Sequence, residues 1–468
     1  MPAGCASAGP DRPPADIAAH TEGKIERMSV TTQRPGPPSN GAPPPQAQAA
    51  APTPPPRVPP ARRRKTGASI GGLPVANLVV LEVGVAIGLG LLAVNTSLLP
   101  FAGGVAGVAF ILMFIRWSGR WFTQWVGLTL RYLFRSHTRT TVPTESAAAA
   151  PLAEDGETKV IGPEDARVAL LRLAVPDLVV AHTTDHERAP VGMAWQDGVW
   201  TAVLRVELEP LLVAPIGKAP NLPLGALGPC LEDRGVVLDS IRVLWHCYPG
   251  SAVLPPSSPA LSSYLEVIGA LPTSARRTTL VAVRLDPRRC GAAIRERGGG
   301  VVGAHRALIG ALSRVRSALE GRGVPTRPLD PEELLATGVA IGELSGALNA
   351  EGRVGLAEKW GGVTAAGVGH SSYSITGWPS GGVAAGLNAF TSIRALSSTV
   401  ALAISPGGQD GQVGLRGLVR ISARTPAELS RAEDRLDKMT DKLGFAMTPL
   451  RGLQTAALAA TLPFGGWA

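Results

Sequence analysis

The stretch VANLVVLEVGVAIGLGLLAVNTSLLPFAGGVAGVAFILMFI, residues 75–115, decides how the rest of the chain is read. It holds two apolar runs, Val75–Val94 and Leu98–Ile115, divided by the polar tripeptide Asn95-Thr96-Ser97. Each run is long enough to cross a hydrocarbon layer roughly 30 Å thick. Glu82 is the only charge in either. A soluble helical hairpin would carry a polar face, which neither run has. A cleaved leader is excluded by the depth of the first run in the chain and by the second run that follows at once. Arg62-Arg63-Arg64-Lys65 precedes the hairpin, and Arg116, Arg120, Arg131, Arg135 and Arg139 follow it. Basic residues favour the cytoplasmic side, so both flanks and both termini are expected there, with the turn outside.

The formal charge of +9 and the pI near 9.8 invite a nucleic-acid reading, until the charge is located. Residues 61–140 hold nine Arg or Lys against one acid, a net of +8, which leaves almost nothing for the remainder. The basic excess therefore belongs to the membrane flank, where anionic lipid attracts each basic residue by roughly 1 kcal/mol. No nucleic acid is expected as a partner.

Within the hairpin, Gly84 and Gly88 on the first helix and Gly103 and Gly107 on the second have the four-residue spacing that lets helices approach closely. They are expected to pack the two helices together. Glu82 lies about 10 Å inside the boundary and needs a partner, either Arg116 at the end of the second helix or a group on another subunit. The run RWSGRWFTQWVGLTLRYLFR, residues 116–135, reads as a helix. Trp117, Trp121, Trp125, Leu128 and Tyr132 form one stripe, and Arg116, Arg120, Arg131 and Arg135 the adjoining one. Such a helix suits headgroup level or the groove of a partner.

Five segments result: a Pro-rich tail (1–65), the hairpin (66–115), a basic and aromatic juxtamembrane helix (116–139), a linker (140–165) and a cytoplasmic α/β domain (166–468). The tail has sixteen prolines in its first 60 residues and no hydrophobic period, so disorder is expected, with Met28 as an alternative start. Cys5, Cys230, Cys247 and Cys290 form no CxxC and read as reduced thiols.

In the domain, Val168–Val180 reads as strand, and Met193–Leu204 as a hairpin turning at Asp197-Gly198. Val236–Cys247 and Thr278–Leu285 read as strands, Pro249–Pro259 as a loop and Leu261–Gly269 as a short helix. A helix over Val301–Leu319 is followed by Gly323-x4-Pro328-Leu329 and by a helix opening at Asp330-Pro331. Strands Thr399–Ser405 and Leu415–Ala423 flank the turn 406–411, and Thr425 caps a helix over Pro426–Leu443. Gly444-x4-Pro449-Leu450 then repeats the earlier spacing. Two related strand-helix-strand units with right-handed crossovers in a mixed sheet are expected.

Motifs for catalysis are wanting. Arg297-Gly-Gly-Gly300-Val-Val-Gly303 lies between a strand and a helix but lacks the Gly-Lys-Ser/Thr ending of a phosphate loop. His182 and His186 have helical metal-ligand spacing, yet Thr183-Thr184 and Pro190 disfavour a helix there. Glu433, Asp434 and Asp437 are balanced by Arg431, Arg435, Lys438 and Lys442 on one charged helix. His370-Ser371 has no nucleophile elbow around it. No catalytic, cofactor-binding or metal residue is assigned, and no cofactor is expected.

The Pro-rich tail, the hairpin followed by arginines and Trp121, the hairpin from Trp195 to Trp200 and the closing GLQTAALAATLPFG, residues 452–465, together resemble the EccE family, a membrane component of the actinobacterial type VII (ESX) secretion apparatus. The resemblance spans about residues 70–466. It implies a non-enzymatic structural subunit of the cytoplasmic membrane, assembling with EccB, the ATPase EccC and EccD. The family's soluble domain is likened to glycosyltransferases, but the Asp-x-Asp pair such enzymes use is missing here. The rival reading is a membrane-tethered enzyme acting on a nucleotide-linked or lipid substrate, with residues 298–303 and 361–378 as its site.

Overall fold

The computed structural model describes residues 69–70, 73–117, 120–143, 159–160, 165–207, 222–248, 276–348, 350–407 and 412–466. The Pro-rich tail, most of the linker, the loop 249–259, the helix 261–269 and most of the turn 406–411 lie outside them.

Helices α1 (Val75–Val94) and α2 (Leu99–Phe114) are long and apolar enough to cross a membrane. A 3-10 turn at Thr96–Leu98 joins them, and the Asn95 side chain caps it by accepting from the Ser97 amide at 2.9 Å. Val83, Ile87, Leu89, Phe101, Phe110 and Ile111 are each more than half exposed, so the hairpin presents its apolar surface outward.

Helix α3 (Phe122–Leu133) follows, and its start differs from the expected one at Arg116. Arg116–Trp117 instead pairs antiparallel with Arg120–Trp121. Trp117 is therefore off the helix, and the three-tryptophan stripe does not form. The intervening Ser118-Gly119 is poor helix material, which gives the chain a reason to break there.

The remaining elements build one sheet of fourteen strands. They are β1 (Thr138–Thr141), β2 (Lys159–Val160), α4 (Ala166–Ala174), β3 (Val179–Thr184), β4 (Pro190–Gln196), β5 (Val199–Val206), β6 (Ser240–Tyr248) and β7 (Arg276–Leu285). Next come α5 (Gly291–Glu296), α6 (Gly300–Glu320), β8 (Thr326–Pro328), α7 (Pro331–Ile341), β9 (Val354–Glu358), β10 (Val363–Ala365), β11 (Val368–Gly377) and α8 (Val383–Phe390). Last are β12 (Ser397–Pro406), β13 (Val413–Ala423), α9 (Pro426–Leu443), β14 (Ala446–Pro449) and α10 (Gln454–Ala460).

Every described pairing is antiparallel, so the expected mixed sheet is corrected to an antiparallel one. The two related units do exist, in a form the spacing could not show. In the first, β7 and β8 both pair with β5; in the second, β13 and β14 both pair with β11. Each helical crossover thus skips one strand and places a central strand between two that run parallel to each other. The neighbour orders β8-β5-β7-β6 and β14-β11-β13-β12 are the same split β-α-β arrangement. Even the repeated motif coincides. Gly323 and Gly444 stand at positive φ (76° and 69°), and Leu329 and Leu450 each donate an amide to the central strand, to Val203 O at 2.9 Å and Ser372 O at 3.0 Å. The halves meet where β6 pairs with β12, from Ile241↔Ile404 to Cys247↔Ser398.

One prediction failed for a clear reason. Residues 168–180 are not a strand, since α4 occupies the first part and β3 starts at Val179. Asp165 caps α4 through the Arg167 amide, and Val168, Leu170, Leu171, Leu173 and Ala174 bury themselves at helical spacing. Leu, Ala and Arg outweigh the single valine in propensity.

One face of the sheet packs on α5, α6, α8 and α9 over a core of aliphatic and aromatic side chains. The other packs on α4, α7 and α10, with Phe464 fully buried against Gly338 of α7, where a Cβ would meet the ring at 2.6 Å. Phe464→Ala should destabilise the fold by about 3–5 kcal/mol, read as a lowered thermal midpoint in detergent; a loss below about 1 kcal/mol would mean that the closing segment is not core.

Candidate membrane and partner interface

The hairpin's buried residues on α1 are Asn77, Gly84 and Gly88, on one flank. Gly84 meets Ala109 and Gly88 meets Ala102, so close that a Cβ on either would crowd α2. Gly103 and Gly107 have open space within 4 Å of a built Cβ. The expectation that all four glycines join the helices is corrected: alanines supply the α2 side, and Gly103 and Gly107 face outward. Glu82 is exposed on α1, and the side chains of Arg116, Trp117 and Arg120 lie outside the description.

Asn77 is the residue that sequence reasoning passed over. It is 0% exposed; its amide donates to Met113 O at 2.6 Å, and it accepts from the Thr123 hydroxyl. The base of α1, the end of α2 and the start of α3 are thereby tied by one amide. A buried amide in apolar surroundings demands such partners. The signal was its place in line with Gly84 and Gly88, at spacings of seven and four.

Helix α3 is in turn seated on the domain. Trp125 and Tyr132 meet Trp360 edge-on, with ring centroids 5.6 and 5.1 Å apart. Arg135 pairs with Glu358, which is buried and also accepts from the Thr455 hydroxyl at 2.8 Å and the Thr455 amide at 3.3 Å. Gly452 at φ 69° lets the chain pass over the Trp360 ring, where a Cβ would come within 2.6 Å. Trp125 and Arg135, expected to face lipid or a partner, thus face the chain's own domain. Leu130, Arg131, Leu133 and Phe134 stay exposed. The sheet also begins earlier than the expected 166, because β1 pairs with β9 and Arg139 binds Leu173 O at the end of α4 at 3.0 Å.

The domain's other concentration of polar groups lies under α7 and α10. Arg242 donates to Ala460 O and Gly465 O, Arg284 to Phe464 O at 3.1 Å and Gly465 O at 2.7 Å, and Arg420 to Ile341 O. The Ala460 and Ile341 carbonyls end α10 and α7, where backbone acceptors and the negative dipole end call for a cation, and the Phe464 and Gly465 carbonyls belong to the closing segment after α10. Beside Arg420, Thr399 accepts from it at 3.0 Å and contacts His246 Nδ1 at 2.9 Å. His246 Nε2 lies 3.6 Å from Glu343. Burial first, then Arg420, lowers His246 to about 3. Burial and Arg420 likewise hold His370 far below the usual range, and on the opposite face of the sheet burial lowers His305 of α6 to about 4. Burial raises Glu343. The group closes helix ends and is withheld from solvent.

The rival's two segments are not brought together. Residues 298–300 lead into α6 of the first half, and residues 361–378 are β10 and β11 of the second, with β13, β12, β6 and β7 intervening before the strand that α6 covers. His182 lies on β3 and His186 in the following turn, so they do not share a helix face.

Residues 273–375 match the family described as "EccE: Putative type VII ESX secretion system translocon, EccE". The likeness to that family is carried by these residues. This segment runs from β7 in the first half to β11 in the second and contains Glu358 and Trp360, the residues on which α3 sits. No curated protein matches the chain. Two crystal forms of alkyldihydroxyacetonephosphate synthase align with 54% of this chain at 11% identity, with TM-scores of 0.23 and 0.24. The alignment spans 41% and 42% of those chains.

Glu358→Gln should leave Arg135 without its counter-charge and cost the joint about 3 kcal/mol. Faster hydrogen exchange across residues 122–133, with the rest of the sheet unchanged, is the expected outcome; unaltered exchange would mean that α3 is held otherwise. For pH, the unfolded histidines bind protons near 6.5, while folded His246, His305 and His370 bind them only well below. Stability is full above pH 6.5 and falls on acidification toward 3, by up to about 1.4 kcal/mol per pH unit per histidine. Glu343 acts oppositely above 4.5, as one group against three. His246→Gln should flatten the slope of denaturant stability between pH 4 and 6.5; an unchanged slope would refute the assignment.

Proposed function

We propose that the protein is a non-enzymatic structural subunit of a type VII secretion complex in the cytoplasmic membrane, spanning it twice with both termini inside. The carrying observation is that the EccE segment includes Glu358 and Trp360, so the family-matched part of the domain is the part that receives the membrane anchor. Support comes also from the hairpin's exposed apolar surface and from the use of the buried arginines to close helices.

In this reading the partners are subunits of the EccB, EccC and EccD types, EccC being the ATPase. The seated α3 sets the domain's attitude to the membrane. Its exposed Leu130, Leu133 and Phe134 enter the interface, together with Trp121, and Arg116, Arg120 and Arg131 attract anionic lipid. Gly103 and Gly107 offer an outward face of α2 for helix contact.

Purification in mild detergent, with the system's membrane subunits expressed together, tests the assignment. The expected result is co-elution with the ATPase and at least one other membrane subunit. Recovery of the protein alone, as a folded monomer, would overturn it.

A further inference from the structure

Glu82 lies seven residues into α1, about 10 Å beyond its Val75 end. It is exposed, and no hydrogen bond or ion pair reaches it from the described residues of the chain. Helix geometry explains why. At 3.6 residues per turn, Glu82 stands about 200° around α1 from Gly84, while α2 packs on the flank of Gly84 and Gly88. The partner offered by the sequence, an arginine at the end of α2, is thus approached from the wrong side.

The residues around Glu82 form a continuous uncovered face: Val79, Val83, Ala86, Leu89 and Gly90 are all exposed. One and two turns beyond the acid, at Ala86 and Gly90, side chains are small or absent, and nothing lies within 4 Å of a Cβ built at Gly90. That is room for a backbone to approach, next to a group that hydrocarbon penalises. A glutamate has too short a stem to carry its carboxylate to the headgroups from this depth, unlike lysine or arginine.

We propose that this face of α1 receives a transmembrane helix of another subunit, one that places a lysine or arginine against Glu82. Charge complementarity selects the occupant. A second copy of this chain docked symmetrically would bring carboxylate to carboxylate, and lipid tails bring no cation. The inference rests on the reading of the chain as one subunit of a membrane complex and names the contact that holds it.

The test uses the full-length protein in a host expressing the complete membrane system, with a benzophenone amino acid at Ala86. Irradiation should give an adduct with a different polypeptide, and sequencing should place the adduct in a membrane helix with Lys or Arg within one turn. Glu82→Leu should lower its yield at least tenfold. Glu82→Lys combined with exchange of that partner residue to Glu should restore it. Alkali extraction checks insertion, and Glu82→Gln replaces Glu82→Leu under the same criterion if the latter fails to insert. Adducts with lipid alone or with a second copy of the chain, or a yield indifferent to residue 82, would overturn the proposal. Co-elution of the subunits with an indifferent yield would sink this contact while leaving the assembly standing.

Discussion

Two helices, α7 and α10, end over the middle of the sheet, and side chains from the strands meet their last carbonyls there. From the strands beneath, Arg242 takes the Ala460 carbonyl and Arg420 the Ile341 carbonyl, while Arg242 and Arg284 hold the closing segment at Phe464 and Gly465. A guanidinium suits this duty because its donors are several and fixed in a plane, while its charge answers the helix dipole. Much else follows from this constraint. The face of the sheet under these helices must carry polar side chains at its centre. His246 and His370, packed near a permanent cation, must stay neutral, and the closing segment through Phe464 and Gly465 must be anchored for α10 to end where it does.

The domain is two like halves joined edge to edge. Each is a four-stranded unit whose crossover skips its central strand, and each has a preceding hairpin, β3-β4 or β9-β10, that lengthens the sheet outward. Pairing β6 with β12 hides the two edges that would otherwise be open to another chain. Among the described residues the strands of the sheet left with a single partner, β1, β2, β8 and β14, are all short. The membrane anchor enters at β1, beside β9. That asymmetry is what makes the second half the receiving half.

From the membrane to the sheet there is an unbroken run of specific contacts. Asn77 binds the hairpin to α3, Trp125 and Tyr132 seat α3 on Trp360, and Arg135 reaches buried Glu358, which also holds the entry of α10 at Thr455. Strands β1 and β2 lie at opposite edges of the sheet.

The chain by itself determined what depends on local composition and period. The bounds of the apolar runs, the Asp197-Gly198 turn, the caps at Asp330 and Thr425 and the twin Gly-x4-Pro-Leu spacing could all be read in order, because neighbours within a few residues decide them. The resemblance to the EccE family was legible in the same way, as order and spacing. Tertiary structure alone decided which strand lies between which, since a crossover that skips a strand and one that does not leave the same trace in sequence. It also decided that Trp125 and Arg135 turn toward the domain, that Ala102 and Ala109 meet Gly84 and Gly88, and that Asn77 is the knot of three helices. In each case the deciding partner is tens to hundreds of residues away, and a side chain's own period says which way it points but not what it finds there.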